Sequence, residues 1–571
     1  MHSRNSKFLY IIPIVAVLVA STALYILTCP RDLSWAHYSQ DSGDLITAAY
    51  NLDIPHPTGY PLFTMVGHIF TSLNFGLFSA QPIPWNNPAF KMILFVILTS
   101  IANLYLFWRI HCRLQEKLGL AIAGKPIGSI AAAIGSMALG TSYLYWSQSI
   151  IAEVYILNLF FVDLTLLLIL MLIPDGSPQP KARRWLALGL AAGLGLFHHL
   201  SFGLFLPGFL ILSISCLKKP NRREAGALIG GVLLSLLPLL YLPIRSLQNP
   251  PLDTNNPENW RNFIYLITAV AYRGYIFSYP VSEMVHHFSP FNLSEQFGTP
   301  GLLLTCVGIA AGALLRNRTS RAFTAFCLIS AGFVLFHVTN YNVADRMVFF
   351  LPAFLPMAHL LTLGGTLIFA FLSRQLSRPW NVTRNILIAA SVIGAVFWPG
   401  AMVQHAYSWG IDVSENQDAK QFGSQAFAYL DENAIIFTHT DGKSFSLIYH
   451  RYILFRGIRD DVDIVFVPRI HTPWWWENVA AGHPNVKMSI GYTSDQNAII
   501  ADIIRTNINS RPIYTALPIL PLPEGYSIIK TGNIFKIIST ENYENLIDFY
   551  HRMKDDSSEN LNMGTIQDGT F

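Results

Sequence analysis

The sequence predicts a polytopic α-helical membrane protein of about eleven spans that carries a C-terminal extracytoplasmic α/β domain. Three observations predict it. Of 571 residues, 52% are hydrophobic and only 13% charged, which is more apolar surface than one water-soluble core needs. Up to residue 404 that surface falls into blocks of membrane-spanning length, and in residues 405–571 it breaks into short apolar runs between polar turns. Lysine and arginine concentrate in alternate connections. The net charge of +4 is scattered over short loops, so it bears on topology and gives no basis for nucleic-acid binding. Cys29, Cys112, Cys216, Cys306 and Cys327 show neither metal-type spacing nor an evident disulfide partner.

The first block, residues 8–28, is too long for a signal-peptide core and lacks a small-residue cleavage site, so it reads as a retained helix. Arg4 and Lys7 before it place the N-terminus in the cytoplasm. If residues 61–80 also spanned, the next helix would leave Arg109, Arg113, Lys117 and Lys125 outside. Interrupted by His68, Asn74 and Gly76, that segment is therefore assigned as a re-entrant or surface helix within the first external loop, 29–89. The remaining spans are 90–109, 127–145, 154–173, 185–200, 201–217, 225–244, 299–316, 321–339, 347–372 and 385–404. Basic cytoplasmic loops then fall at 109–125, 181–184, 218–223, 316–321 and 374–384, with a second large external loop at 245–298. The spans at 185–200 and 201–217 are short enough to form a tilted hairpin.

The membrane domain thus covers 1–404 and the external domain 405–571. In the latter, Ile435-Ile436-Phe437 and 463–467 read as buried strands, alternating with helices near 418–430, 444–454 and 497–507. Residues 526–538, with Thr531-Gly532-Asn533 at the centre, read as a hairpin. Gly442-Lys443-Ser444 is similar to the end of a phosphate-binding loop, but Phe437 stands where that loop requires glycine. Trp474-Trp475-Trp476 reads as structural or as a contact for lipid or sugar. Of the sequons, Asn317 and Asn381 fall on the cytoplasmic side and Asn292 outside.

This topology gathers Asp41, Asp44, His56, Glu153, Tyr155, His198, His199, Arg245, Tyr272, Arg273, Asp345 and Arg346 at the outer face, whereas the inner face shows only basic loops. Each has a plainer reading. Asp41 and Asp44 would share a helix face, and Asp44 could serve only as a helix cap. Glu153 could simply favour the positive end of a helix. His198-His199 has no metal-type partner four residues on. Arg245 could mark the membrane edge or, with Arg273, take a phosphate. Asp345-Arg346 could be a structural pair.

Asp41-Ser42-Gly43-Asp44, His56-Pro57-Thr58-Gly59-Tyr60-Pro61-Leu62, Glu153-Val154-Tyr155, Gly195-Leu196-Phe197-His198-His199 and Tyr241-Leu242-Pro243-Ile244-Arg245 resemble the polytopic family that includes the animal protein O-mannosyltransferase acting on plexin-type receptors. The resemblance covers most of residues 8–350. It implies a GT-C glycosyltransferase with a catalytic acid in the first external loop and a polyprenyl-phosphate sugar donor. Asp44 stands where the family commonly has glutamate, Thr58 where it has a second proline, and the long helical-repeat tail is missing.

Such a reaction suits these residues on chemical grounds, because it needs a base for the acceptor's proton, cations for the departing phosphate and an apolar groove for the prenyl chain. Asp41 is assigned as base, with Asp44 holding the acceptor or orienting Asp41, in an inverting displacement. Arg245 and Arg273 are assigned to the donor phosphate, and His56, Tyr60, Glu153, Tyr155, His198, His199 and Tyr272 to supporting substrate contacts. The expected partners are the polyprenyl-phosphate sugar, carrying mannose or another hexose, a protein hydroxyl or glycan acceptor, and the bilayer of a bacterial inner membrane or endoplasmic reticulum. No cofactor is called for, and a divalent metal is left open. The alternative reading is a non-enzymatic transporter or flippase of lipid-linked glycans, which predicts ionisable groups deep in the bilayer.

Overall fold

The computed structural model describes residues 2–74, 83–174, 181–280, 282–283, 291–376 and 382–547. The chain divides into two compact units, Met1–Lys420 and Gln421–Phe571.

The first unit is helical. Its leading elements are α1 (His2–Thr28), α2 (Ser42–Asn51), α3 (Pro61–Ser72), α4 (Pro88–Lys117), α5 (Pro126–Thr141), α6 (Tyr143–Ser149), α7 (Tyr155–Leu172) and α8 (Lys181–His198). Helices Leu206–Cys216, Arg222–Leu234, Tyr241–Ser246, Trp260–Ile267, Leu293–Leu314, Arg318–Thr339, Leu351–Leu376 and Val382–Ser408 follow. Proline opens α3, α4 and α5 at their first turn, where its missing N–H leaves no helical bond unmade. The side chain of Asn87 caps α4 by accepting from Ala89 and Phe90. Glycine allows close helix contacts. A Cβ on Gly189 of α8 would lie 2.1 Å from the Leu228 carbonyl oxygen, and one on Gly231 would lie 2.2 Å from that of Leu186, so both backbones meet where only hydrogen fits.

Among the described residues, seven helices are long and apolar enough to cross a membrane, or eight if one bent pair counts as a span. The expected count of about eleven is not reached by that measure, for identifiable reasons. The expected straight span 127–145 is instead α5 and α6, bent by 71° where Ser142 takes an extended conformation and its hydroxyl bonds back to Leu139. The segment expected at 201–217 is a short apolar stretch, Leu200–Cys216, that begins as a 3-10 turn. The segment expected at 225–244 does qualify, within Arg222–Ser246, although Pro238 sets a 3-10 turn at Leu237–Leu240 inside it. The helix expected at 61–80 ends at Ser72, and residues 75–80 lie outside the described part. Asn381 also lies outside it. Asn292 and Asn317 act as N-caps of Leu293–Leu314 and Arg318–Thr339.

The second unit is the small α/β domain expected from the sequence. Its strands β1 (Ile435–Thr438), β2 (Asp463–Phe466), β3 (Ile513–Thr515), β4 (Tyr526–Thr531) and β5 (Ile534–Ser539) are ordered β2-β1-β3-β5-β4. β1 pairs in parallel with β2 and β3, and β4–β5 is the expected hairpin around Gly532. Trp475 packs in the core with Ile435, Val465, Ile499 and Ile503, so the tryptophan run is chiefly structural.

Candidate active site

Asp41 stands at the N-cap of α2 and Asp44 in its first turn. The sequence places both on one face, but only the fold supplies what joins them. The backbone N–H and the ring Nδ1 of His56 both reach Asp44 Oδ2, at 2.7 and 2.8 Å. The other ring nitrogen, Nε2, lies 3.5 Å from Asp41 Oδ2. His56 therefore bridges two carboxylates of different exposure: Asp44 is fully buried, whereas the Asp41 side chain is 32% exposed. The imidazole is committed to its carboxylate partners, of which Asp41 is the more exposed.

The segment from His56 to Tyr60 is shaped to make this contact. Gly59 N–H donates to the His56 carbonyl at 2.8 Å, closing a tight turn. Gly59 has φ +80°, and a Cβ there would sit 3.0 Å from Leu242 and 3.1 Å from Leu266. Tyr60, at φ 37°, holds a left-handed conformation that a bulky residue adopts only when its surroundings impose it. Its ring meets the His56 ring edge-on at 5.2 Å and lies 6.0 and 6.2 Å from those of His198 and His199. Burial, followed by the nearby Asp41 charge, raises the Tyr60 phenol well above its ordinary value.

Glu153 precedes α7 and is buried, with Oε1 lacking a hydrogen-bond partner. Burial first, then the charges of Asp41 and Asp345, raise its carboxyl well above the usual range and favour the protonated form. Ser42 Oγ donates to the Ala152 carbonyl at 3.2 Å, tying the start of α2 to this segment. His198 Nε2 bonds the Val154 carbonyl at 3.0 Å. His199 Nδ1 accepts from the Ser201 hydroxyl at 2.8 Å, and Tyr155 lies 5.7 Å from the His199 ring.

The structure thus brings together Asp41, Asp44, His56, Tyr60, Glu153, Tyr155, His198 and His199. Arg245 is placed differently. Its Nε donates to the Leu52 carbonyl at 2.6 Å, Nη2 reaches the Asn51 carbonyl at 3.4 Å and Asp53 at 3.7 Å, and Nη1 bonds Gln248. It caps the C-terminal end of α2, eight residues or about 12 Å of helical rise beyond Asp44. Tyr241 supports the same end through its hydroxyl to the Asp53 carbonyl at 2.9 Å. The expectation of a phosphate-binding Arg245 therefore meets a guanidinium already engaged with backbone carbonyls.

Tyr272 and Arg273 lie on the short turn Val270–Tyr275, where the Arg273 side chain is exposed. The chain beyond this turn runs alongside 340–342: Ile276 bridges Tyr341 antiparallel, and Asn342 N–H donates to the Tyr275 carbonyl at 2.9 Å. Tyr341 brings the turn into the site's surroundings through Phe349, whose ring lies 5.3 Å from that of Tyr341 and 5.6 Å from that of Tyr155. Arg346 Nη1 lies 3.2 Å from the Tyr279 hydroxyl. Sequence reasoning passed over Tyr341, whose phenol carries no motif. Among the described residues, no group of three or more His, Cys, Asp or Glu side chains is arranged to hold a metal ion.

A second polar cluster was also missed. Asp163 of α7, fully buried, accepts from His359 Nε2 at 2.9 Å, and His359 Nδ1 lies 3.1 Å from His111 Nε2 of α4. Asn103, its amide oriented to donate, reaches the other Asp163 oxygen at 2.7 Å. An aspartate in the middle of an expected span was the available signal. The expectation that ionisable residues gather at one face alone is corrected accordingly.

Residues 41–222 match the family described as Protein O-mannosyl-transferase TMEM260 N-terminal domain. The chain is 25% identical over 491 residues to mouse (Mus musculus) Protein O-mannosyl-transferase TMEM260, covering 83% of this chain and 65% of that protein. It is 23% identical over 545 residues to the Dictyostelium discoideum protein of the same name, covering 88% and 63%. The chain therefore spans slightly under two thirds of the length of these relatives. Its fold is similar to that of ArnT from Cupriavidus metallidurans bound to undecaprenyl phosphate, with TM-score 0.50 and 12% identity over 93% of this chain and 98% of that one. The apo state of that protein aligns with TM-score 0.51 over 93% and 97%. The chain is a multi-pass GT-C-fold protein related to the animal protein O-mannosyltransferase.

Proposed function

We propose that this protein is an inverting glycosyltransferase that moves a hexose from a polyprenyl-phosphate donor to a protein hydroxyl or glycan hydroxyl on the extracytoplasmic side of the membrane. The observation that carries this reading is the Asp41–His56–Asp44 bridge, which joins one partly exposed carboxylate to a fully buried one beside the rings of Tyr60, His198 and His199. Mannose is favoured by the names of the curated relatives, and a polyprenyl phosphate by the ligand named for the similarly folded ArnT.

In this scheme the acceptor oxygen attacks the anomeric carbon as its proton passes to Asp41, and the carbon–oxygen bond to phosphate breaks with its electron pair leaving on the phosphate. Asp44 holds His56, and His56 holds Asp41. Arg273, exposed on a turn whose continuation is tied to Tyr341, is the cation for the departing phosphate, whereas Arg245 supports α2. Glu153, favoured in its protonated form, donates to a sugar or acceptor oxygen. Tyr60, Tyr155, His198, His199 and Tyr272 line the sugar's surroundings.

Asp163, His359 and His111 speak for the transporter reading, since they lie deep within the helices. Their polar contacts close on one another, as expected of an interhelical lock rather than a path. The test is transfer by the reconstituted protein from a synthetic polyprenyl-phosphate hexose to a hydroxyl acceptor. Movement of the intact lipid-linked sugar between leaflets with no glycosidic product would reject the enzyme. Single cysteines replacing Asn221 and Ser414 should be shielded from and labelled by an external impermeant thiol reagent, respectively, on the proposed sidedness.

A further inference from the structure

The loop that delivers Asp41 contains two consecutive residues, His37 at φ 58° and Tyr38 at φ 66°, in the left-handed region that non-glycine residues rarely occupy. Such a conformation persists only where neighbouring groups impose it. Those neighbours come from α6 and, along most of the loop, from residues 411–420, which follow the helix Val382–Ser408 nearly four hundred residues later in the chain.

The contacts run along the whole loop. Val413 N–H donates to the Thr28 carbonyl at 3.0 Å where α1 ends. The buried carboxylate of Asp32 pairs with Lys420 Nζ at 2.7 Å through Oδ2 and accepts the Leu33 N–H at 2.8 Å through Oδ1. Ser34 Oγ donates to Asn416 Oδ1 at 2.6 Å, and Trp35 N–H donates to Asp418 Oδ1 at 2.8 Å. His37 Nε2 lies 3.2 Å from the Ile411 carbonyl oxygen, so that nitrogen carries the hydrogen, and Nδ1 faces the Tyr143 hydroxyl at 3.5 Å. Gln148 of α6 holds the His37 carbonyl at 3.0 Å. From there the chain turns through Ser39, whose carbonyl accepts the Ser42 N–H at 3.1 Å, directly into Asp41 and α2.

We propose that residues 411–420 form a strap that sets the position of Asp41, and that His37 is the positioning residue through which the strap acts. The helix α2 is anchored at its far end by Arg245 and Tyr241, and at its Asp41 end the Ser42 bond to Ala152 and the His56 contact are joined by the incoming loop, which sets the backbone path into Asp41. Contacts to Ile411, Asn416, Asp418 and Lys420 determine that loop's path, and His37 is the strap contact nearest to Asp41 in sequence. A loosened loop would leave the substrate pocket built by Tyr60, Glu153 and His199 in place while misplacing the base, so the effect falls on turnover more than on donor binding.

The inference rests on the reading of Asp41 as the base, and the experiment separates the two. In the full-length protein, backbone amide exchange of residues 36–44 is measured beside steady-state transfer for wild type, His37→Ala, His37→Gln and His37→Gly, with Asp32→Asn as a second way to release the strap. His37→Ala should speed exchange and lower kcat about tenfold, with KM for a polyprenyl-phosphate hexose within about twofold of wild type. Glutamine, whose amide nitrogen reaches where Nε2 sits, should keep most of both properties. Glycine accepts the left-handed backbone but brings no donor, so it should behave like alanine. Asp32→Asn should shift both readouts in the same direction, by less. Wild-type exchange and kcat in His37→Ala and Asp32→Asn would overturn the strap, as would full rescue by glycine. Faster exchange in the variants of a wild-type protein that transfers no sugar would leave the strap standing and remove Asp41 as the base.

Discussion

A single oxygen of Asp44 accepts both the backbone N–H and the ring Nδ1 of His56, at 2.7 and 2.8 Å, and so fixes the ring's orientation towards Asp41. Twelve residues separate the partners, and the chain turns back between them at Leu52, the left-handed residue that ends α2 at φ 60°. Asp44 is fully buried, so its worth lies in holding His56.

Asp41→Asn keeps the size of the side chain and removes the proton acceptor. Transfer should fall by about 10² to 10⁴, the usual contribution of a positioned base, with donor binding retained. Asp44→Asn leaves the His56 ring without its charged acceptor and should cost about 1.5–3 kcal/mol of stability as well as turnover. Steady-state transfer and thermal unfolding in detergent check both. Wild-type transfer by Asp41→Asn would pass the base role to another carboxylate.

The two arginines should separate cleanly. Arg245→Ala removes contacts to the end of α2 and should lower the unfolding temperature while donor affinity changes little. Arg273→Ala should leave stability untouched and weaken donor binding by about tenfold or more, as expected from a lost charged contact of about 1.5–3 kcal/mol. Binding of a polyprenyl-phosphate hexose by both variants decides it; the opposite pattern would return the phosphate to Arg245.

Glu153 should produce a pH dependence of stability with a definite sign. Burial makes its folded-state proton affinity higher than that of the unfolded chain, where a glutamate titrates near about 4.3. Its contribution is therefore full below that pH and declines as pH rises towards the folded value. Glu153→Gln, permanently neutral, should flatten this decline. Unfolding temperatures measured from pH 4 to 8 test the claim, and an unchanged slope in the glutamine variant would show that Glu153 is not the titrating group.

His359→Ala strips Asp163 of a hydrogen-bond donor among buried helices and should be strongly destabilising, about 3–5 kcal/mol if the carboxylate is left charged. Asp163→Asn, which needs no counter-charge, should cost less. Melting of the two variants in the same detergent ranks them. Equal stability with wild type would mean that water or a shifted helix replaces the contact.

Much of this protein was legible in its sequence, because its signals are local. Blocks of apolar residues, basic loops between them and the change of composition near residue 404 declare a multi-pass helical protein with a terminal α/β domain. Short periodic runs located β1, β2 and the β4–β5 hairpin, and β3 escaped because three residues carry no period. The acids of α2 were visible as a pair at helical spacing. The bend after Thr141 was not, since the apolar run continues past it, Gly140, Thr141 and Ser142 are only weak breakers, and the break depends on one serine's backbone conformation and its hydroxyl.

What the tertiary structure alone decided is which groups meet. Arg245 looked like a phosphate ligand because an arginine at a membrane edge has few other partners in a linear sequence, and the fold gave it the carbonyls at the end of α2. Asp163 gained His359 from 196 residues away, and Asp32 gained Lys420 from the far end of its unit. Hydropathy and propensity act within a few residues, whereas the position of a charge is settled by the nearest available donor. In a bilayer without water to substitute, that donor is supplied by whichever distant segment the packing brings alongside.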